Sequence, residues 1–144
     1  MKKPKKPKKK AGKSKRKITS YRTELKKLVA DYVKNRDGWV CQRCKKSLCS
    51  YDSHASHVIP TSQSEYLRYN ALNLKTLCMR CHLFWWHKDP LGAKDWFQDN
   101  FPIRYAFLVA NRYKLQKTSP EYFEGWIAKY KKMKEEQLST GRNG

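Results

Sequence analysis

All five cysteines fall between Cys41 and Cys81 and all four histidines between His54 and His87, so the groups able to bind metal or move protons are crowded into one stretch. Two cysteine pairs, Cys41-Gln42-Arg43-Cys44 and Cys78-Met79-Arg80-Cys81, stand 33 residues apart. Four thiolates in this arrangement make a closed tetrahedral Zn2+ site of the structural kind, with every position filled by protein and none left for substrate. In a domain this small the ion would supply much of the folding free energy. Cys49 has no partner at knuckle spacing and is expected to be a partly buried free thiol.

Once the thiols are assigned to zinc, the histidines remain over. His82 directly follows the last thiol, which would fix its position rigidly. His87 lies five residues further on, off the helical i+4 position, and is expected to stay out of any site built on His82.

These residues need elements to hold them. Tyr21, Leu25, Leu28, Val29, Tyr32 and Val33 recur at helical spacing, predicting an amphipathic helix with Ser20 or Thr19 as N-cap and Gly38 just past its end. A strand is expected within Tyr51–Pro60, a polar loop over Thr61–Asn70, a second strand at Leu74–Leu77 and a helix from Met79 or Arg80. Asp89-Pro90 and Ser119-Pro120 each place a capping residue before proline and mark helix starts, with another helix within Phe101–Tyr113. The last helix carries Tyr122, Phe123, Trp126, Ile127, Tyr130 and Met133 as a stripe for packing, reaching about Leu138.

The balance of charge points to the partner. Of a formal +21, residues 1–17 contribute eleven Lys or Arg and no acid, which leaves +10 on the rest. A basic body with a basic tail favours a polyanion, because neutralising phosphates releases condensed counterions. Nucleic acid is the expected partner, DNA first, with RNA not distinguished by composition. A membrane is not expected, since no stretch approaches the roughly 20 apolar residues of a spanning helix. With no apolar signal segment at its start, the chain reads as intracellular, a setting in which CxxC pairs serve as metal ligands rather than disulfides. The Pro-broken tail cannot bury enough surface to fold alone, and its lysines at 2, 3, 5, 6, 8, 9 and 10 read as a disordered electrostatic arm.

Cys41–His82 resembles the HNH endonucleases, which have the ββα-metal fold. The likeness rests on His57-Val58-Ile59-Pro60 at a strand end, then Asn73 five residues before Cys78, eight before Cys81 and nine before His82. Within that family the chain is similar to phage recombination endonucleases of the Rap/NinG type, through its lysine-rich start, the helix before the first knuckle, and Leu67-Arg68-Tyr69 leading to Asn73. The resemblance implies an α+β fold: a small zinc-stabilised core over residues 39–90, a helix over 18–38 and a helical extension over 91–144. It implies metal-dependent hydrolysis of DNA phosphodiester bonds, at branched or recombination structures, leaving 5′-phosphate and 3′-hydroxyl ends. His57 would be the general base, Asn73 would brace the loop that aims it, and His82 would ligate a divalent cation. Arg68 would clamp a phosphate. A phage-encoded chain of this kind would work in the host cytoplasm.

One position departs from the pattern. The family's acidic ligand before the basic His is Ser56 here, and at three residues before it, where the Rap/NinG-like form has an acid, stands His54. A His54/His82 pair is rich in nitrogen and favours Mn2+, Ni2+, Co2+ or Zn2+ over Mg2+. Alternation puts residues 54 and 57 on opposite strand faces, with Asp52 as a fallback ligand beside His54. The competing expectation is a non-catalytic, zinc-stabilised nucleic-acid-binding protein. Coordinated cutting of both strands of a junction would further require a homodimer.

Overall fold

The computed structural model describes residues 15–141; the lysines of the arm, Lys2, Lys3, Lys5, Lys6, Lys8, Lys9 and Lys10, lie outside the described residues. Helix α1 spans Ile18–Arg36, beginning two residues before the expected Ser20, and Lys17 at its N-cap makes no side-chain cap. Both residues named as caps lie inside the helix: Ser20 Oγ accepts from Arg16 Nε at 3.1 Å, and the Thr19 carbonyl accepts from Thr23 Oγ1 at 2.9 Å. The helix stops where Gly38 adopts φ +65°, a left-handed turn that glycine enters without a Cβ clash.

The first knuckle comes next as a tight turn closed by the Val40↔Ser47 bridge, with Lys45 at φ 64°. Strand β1 (Ser53–His57) pairs antiparallel with β2 (Leu74–Cys78) in the register Ser53↔Cys78 to His57↔Leu74. The paired strand is shorter than Tyr51–Pro60 because Asp52 is tied into the Cys49 turn and the Val58 and Ile59 amides leave the sheet for Asn73. A 3-10 turn, Ala71–Asn73, leads into β2, and α2 (Met79–Cys81) continues as a π-helical turn, His82–Trp86. Helices α3 (Pro90–Asn100), α4 (Pro102–Asn111) and α5 (Pro120–Gly141) complete the described chain. Proline opens each of them, where its missing N–H has no helical acceptor to lose.

The sheet separates two apolar clusters. On one side Tyr21, Leu25, Val29 and Val33 of α1 meet Phe123, Ile127 and Tyr130 of α5 over Leu74 and Tyr69. On the other, Leu77, Cys78, Cys81 and Trp86 pack with Phe97 of α3 and Leu108 of α4. Strand β2 is therefore buried along its whole length. Its outer edge is closed by side chains: Arg36 and Arg104 both donate to the Leu74 carbonyl, at 2.7 and 2.6 Å, and Thr76 N donates to Asp37 Oδ2 at 2.8 Å. The aromatic stripe of α5 also holds the 61–70 loop, with Tyr130 OH donating to the Tyr69 carbonyl and Tyr122 OH to that of Glu65. The expected "polar loop" is thus partly core, with Leu67 and Tyr69 buried.

The architecture is α+β, helices around a two-stranded sheet with a four-cysteine cluster, as a zinc-stabilised ββα-metal core requires. Among the described residues no helix is long and apolar enough to cross a membrane. Phe123, fully buried between Tyr21 and Tyr69, joins α5 to α1 and to the loop. Phe123→Ala should lower the unfolding free energy by about 3–5 kcal/mol, read from urea titration of circular dichroism.

Candidate active site and metal centre

The ligand atoms of Cys41, Cys44, Cys78 and Cys81 all lie within 4.8 Å of one another. A tetrahedral zinc thiolate with bonds of about 2.3 Å has edges near 3.8 Å, and the Cys44 and Cys78 sulfurs are 3.9 Å apart. The donor set therefore fits Zn2+. Burial raises the Cys41 thiol, but backbone amides of Cys78, Cys44 and Arg43 aimed at it outweigh this and bring it to about 7. Burial pushes Cys81 up to about 12 although Arg43 Nη1 donates to its sulfur at 3.8 Å. Four thiolates this close repel one another, and a cation shared among them would offset that repulsion. Cys49 is exposed rather than partly buried, and it stands outside the cluster with its amide and thiol on Asp52 Oδ1.

The second knuckle sets the direction of the helix that leaves it. Cys78 Sγ accepts from Cys81 N at 3.3 Å, so a thiol of the four-cysteine cluster caps the helix start. His82 comes next, and its Nδ1 lies 2.8 Å from Nδ1 of His54 on β1. Its Nε2 lies 3.0 Å from Nε2 of His87. The expectation that His87 would stand apart from His82 does not hold. It assumed α-helical spacing, whereas the π-helical turn carries an i to i+5 bond from His87 N to His82 O and brings residues 82 and 87 to one face. Burial first, then the rings of His87 and His54, push His82 down to about 4, so its imidazole is neutral at ordinary pH.

His57 is held from the other side. Its Nε2 lies 2.9 Å from the Arg68 carbonyl. A carbonyl only accepts, so that nitrogen carries the proton and Nδ1 keeps its lone pair. Burial holds the ring below its ordinary value, and the charges of Lys75, Arg68 and Lys26 act the same way. The Arg68 carbonyl is positioned by a loop anchored on Asn73, which is fully buried. The Asn73 side chain accepts from Ile59 N at 2.7 Å and donates to the carbonyls of Ile59 and Leu67 at 3.0 and 3.2 Å. It clamps both ends of the 59–67 segment.

His54, His57, His82 and His87 line one groove of about 960 Å³, despite the three-residue spacing of the first two. β1 ends at His57, and the groove runs past that end along Ala55 and Val58. Two alternative ligand positions are used elsewhere. The Asp52 carboxylate is taken up by Cys49 and does not line the groove. Ser56 is buried and accepts from Lys75 Nζ at 3.1 Å. That lysine is itself fully buried over the Trp86 ring, and burial, with Arg104 near it, holds its ammonium well below the usual lysine range. An acid at position 56 would face a cation here; the serine meets it as a neutral acceptor. Arg68 lines the groove, but its guanidinium pairs with Glu65 at 3.2 Å, and Arg22 shares that carboxylate at 3.1 Å. Sequence reasoning missed Lys75 and the groove-facing side of α1, because neither stands in a spaced motif.

The HNH endonuclease family model matches residues 41–83, less than half of the chain, and covers both knuckles, Asn73, His57 and His82. No curated protein and no solved structure matches the chain.

Removing zinc with a strong chelator should unfold the core, read as loss of near-ultraviolet dichroism that returns with added Zn2+. Asn73→Ala leaves the Ile59 amide and carbonyl without their side-chain partner, while the Leu67 carbonyl keeps Asn70 N, and should cost about 3 kcal/mol in a urea titration.

Proposed function

We propose that the protein is a metal-dependent endonuclease that hydrolyses DNA phosphodiester bonds in the groove holding its four histidines. The observation that carries this reading is the convergence of His54 and His82, their Nδ1 atoms 2.8 Å apart, in the groove that His57, its Nδ1 unprotonated, also lines. Two imidazole nitrogens bound side by side on one octahedral divalent ion at about 2.1 Å would stand near 3.0 Å apart. His54 and His82 therefore fit a cation, with the remaining positions left to water and phosphate oxygen.

A cation held there would offset the charge that develops on the pentavalent phosphate and the leaving 3′ oxygen. His57 Nδ1 takes the proton of the attacking water, while the Nε2 bond to Arg68 keeps the ring in that tautomer. Asn73 positions the loop that supplies the carbonyl. His87 accepts the Nε2 proton of His82, leaving Nδ1 of His82 to face the cation. Nitrogen ligands without a carboxylate favour Mn2+, Ni2+ or Co2+ over Mg2+. The finer reading, phage origin and branched recombination intermediates as substrate, is supported by the Leu67-Arg68-Tyr69 stretch before Asn73 and by the basic body. A homodimer is the form that would cut both strands of a junction together.

Supercoiled and four-way-junction DNA should be nicked or cut in at least one of Mg2+, Mn2+, Ni2+ and Co2+, and His57→Ala should lose 10²-fold or more of that rate, on the order of a lost general base. Intact DNA in all four metals, with binding retained, would leave a zinc-stabilised nucleic-acid-binding protein as the account. The active form carries neutral His57, and its pKa lies below the ordinary 6.5. Activity should therefore hold as pH falls through the usual imidazole range and decline only below it. His87→Ala should raise the cation concentration for half-maximal rate by about 10–100-fold.

A further inference from the structure

We propose that the groove-facing side of α1 is a binding site for the sugar–phosphate backbone of one nucleic-acid strand, with Lys26 and Lys34 of α1 and Lys94 of α3 as its cationic contacts. The inference rests on the nuclease reading for what happens to the strand once bound, and on geometry and charge for the binding itself. The groove that holds the histidines has α1 along it. Thr23, Lys26, Ala30 and Lys34 line it at i, i+3, i+7 and i+11, a single helical stripe, while Tyr21, Leu25 and Val33 turn toward α5. α1 lies before the matched segment 41–83, so the helix adds this side of the groove to the core from outside it.

Charge decides which cations are available. The residues lining the groove include five Lys or Arg and no carboxylate. Arg22 and Arg68 are both engaged by Glu65. Among the described residues no carboxylate lies within ion-pair distance of Lys26, Lys34 or Lys94. A cleft lined by one sign of charge concentrates potential inside it and draws in the opposite sign. Lys26 lines the same groove as His57, and its charge acts on that ring. Lys34, two helical turns further on and 5.7 Å over the Trp39 face, stands about 12 Å away along the axis. Measured along a B-DNA axis, at roughly 3.4 Å per nucleotide of each strand, that distance corresponds to about three to four phosphates. The small side chains Thr23 and Ala30 leave room for the backbone beside them. Contacts of this kind set register and carry no base sequence.

The test uses full-length, zinc-loaded protein and a labelled single-stranded oligonucleotide, with binding followed by anisotropy across a salt series and no added catalytic cation. Lys26→Ala, Lys34→Ala and Lys94→Ala should each reduce the slope of log affinity against log salt by about 0.7. Lys27→Ala removes the same charge from an exposed position of α1 outside the groove and should change it by less than half as much. Equal changes in the groove variants and in Lys27→Ala would overturn the proposal. In cleavage assays the groove variants should raise KM and hold kcat within about threefold. Wild-type protein that cuts nothing yet keeps the slope difference would sink the nuclease reading and leave the binding site standing. Wild-type protein that cuts, with groove variants binding like Lys27→Ala, would do the reverse.

Discussion

Four thiols drawn within 4.8 Å of one another can all ionise only around a shared cation, and the rest of the site is hung from that cluster. It joins a turn after α1 to the junction between β2 and α2, two points far apart in the chain. The junction sets where the helix starts and hence where His82 points. Because β2 is paired to β1 in a fixed register, the same clamp also sets how far His82 stands from His54. A shift of one residue in that register would turn the strand's side chains to the other face and part the two rings.

A second clamp works on the opposite side. Asn73 holds both ends of the 59–67 segment with three side-chain hydrogen bonds, and α5 presses on the same loop through Tyr122 and Tyr130. What the loop delivers to the groove is one backbone carbonyl, that of Arg68, which orients His57. The aromatic helices beyond the matched segment are thus coupled to the candidate base through packing. Lys75 adds a buried amine behind the same groove, with Ser56 and the Trp86 face as its partners. Burial of a lysine is tolerated here because its charged form is disfavoured and its amine keeps a hydrogen bond.

Much of the molecule was legible from spacing alone. Two CxxC pairs predict their own convergence, since four soft ligands of the right geometry leave zinc little choice of arrangement. Helical periodicity found α1 and α5, and capping residues before proline found the starts of α3 and α5, because these are local signals. Errors came where local rules met tertiary demands. Ser20 looked like a cap until Arg16 occupied its hydroxyl. His87 looked out of phase until the helix after Cys81 widened to π spacing. The 61–70 loop lacks any period because its buried residues, Leu67 and Tyr69, are fixed by partners in α5 and by Asn73 rather than by their neighbours in sequence.

By itself the sequence determined the ligands, their order and the net charge, for these are properties of residue type and spacing. Tertiary structure decided which ring nitrogens of His54 and His82 meet, which nitrogen of His57 carries the proton, that Asp52 and Ser56 are committed elsewhere, and which lysines have no carboxylate beside them among the described residues. Those outcomes depend on hydrogen bonds between residues remote in the chain, and on which of several cations Glu65 reaches first, and no local pattern encodes either.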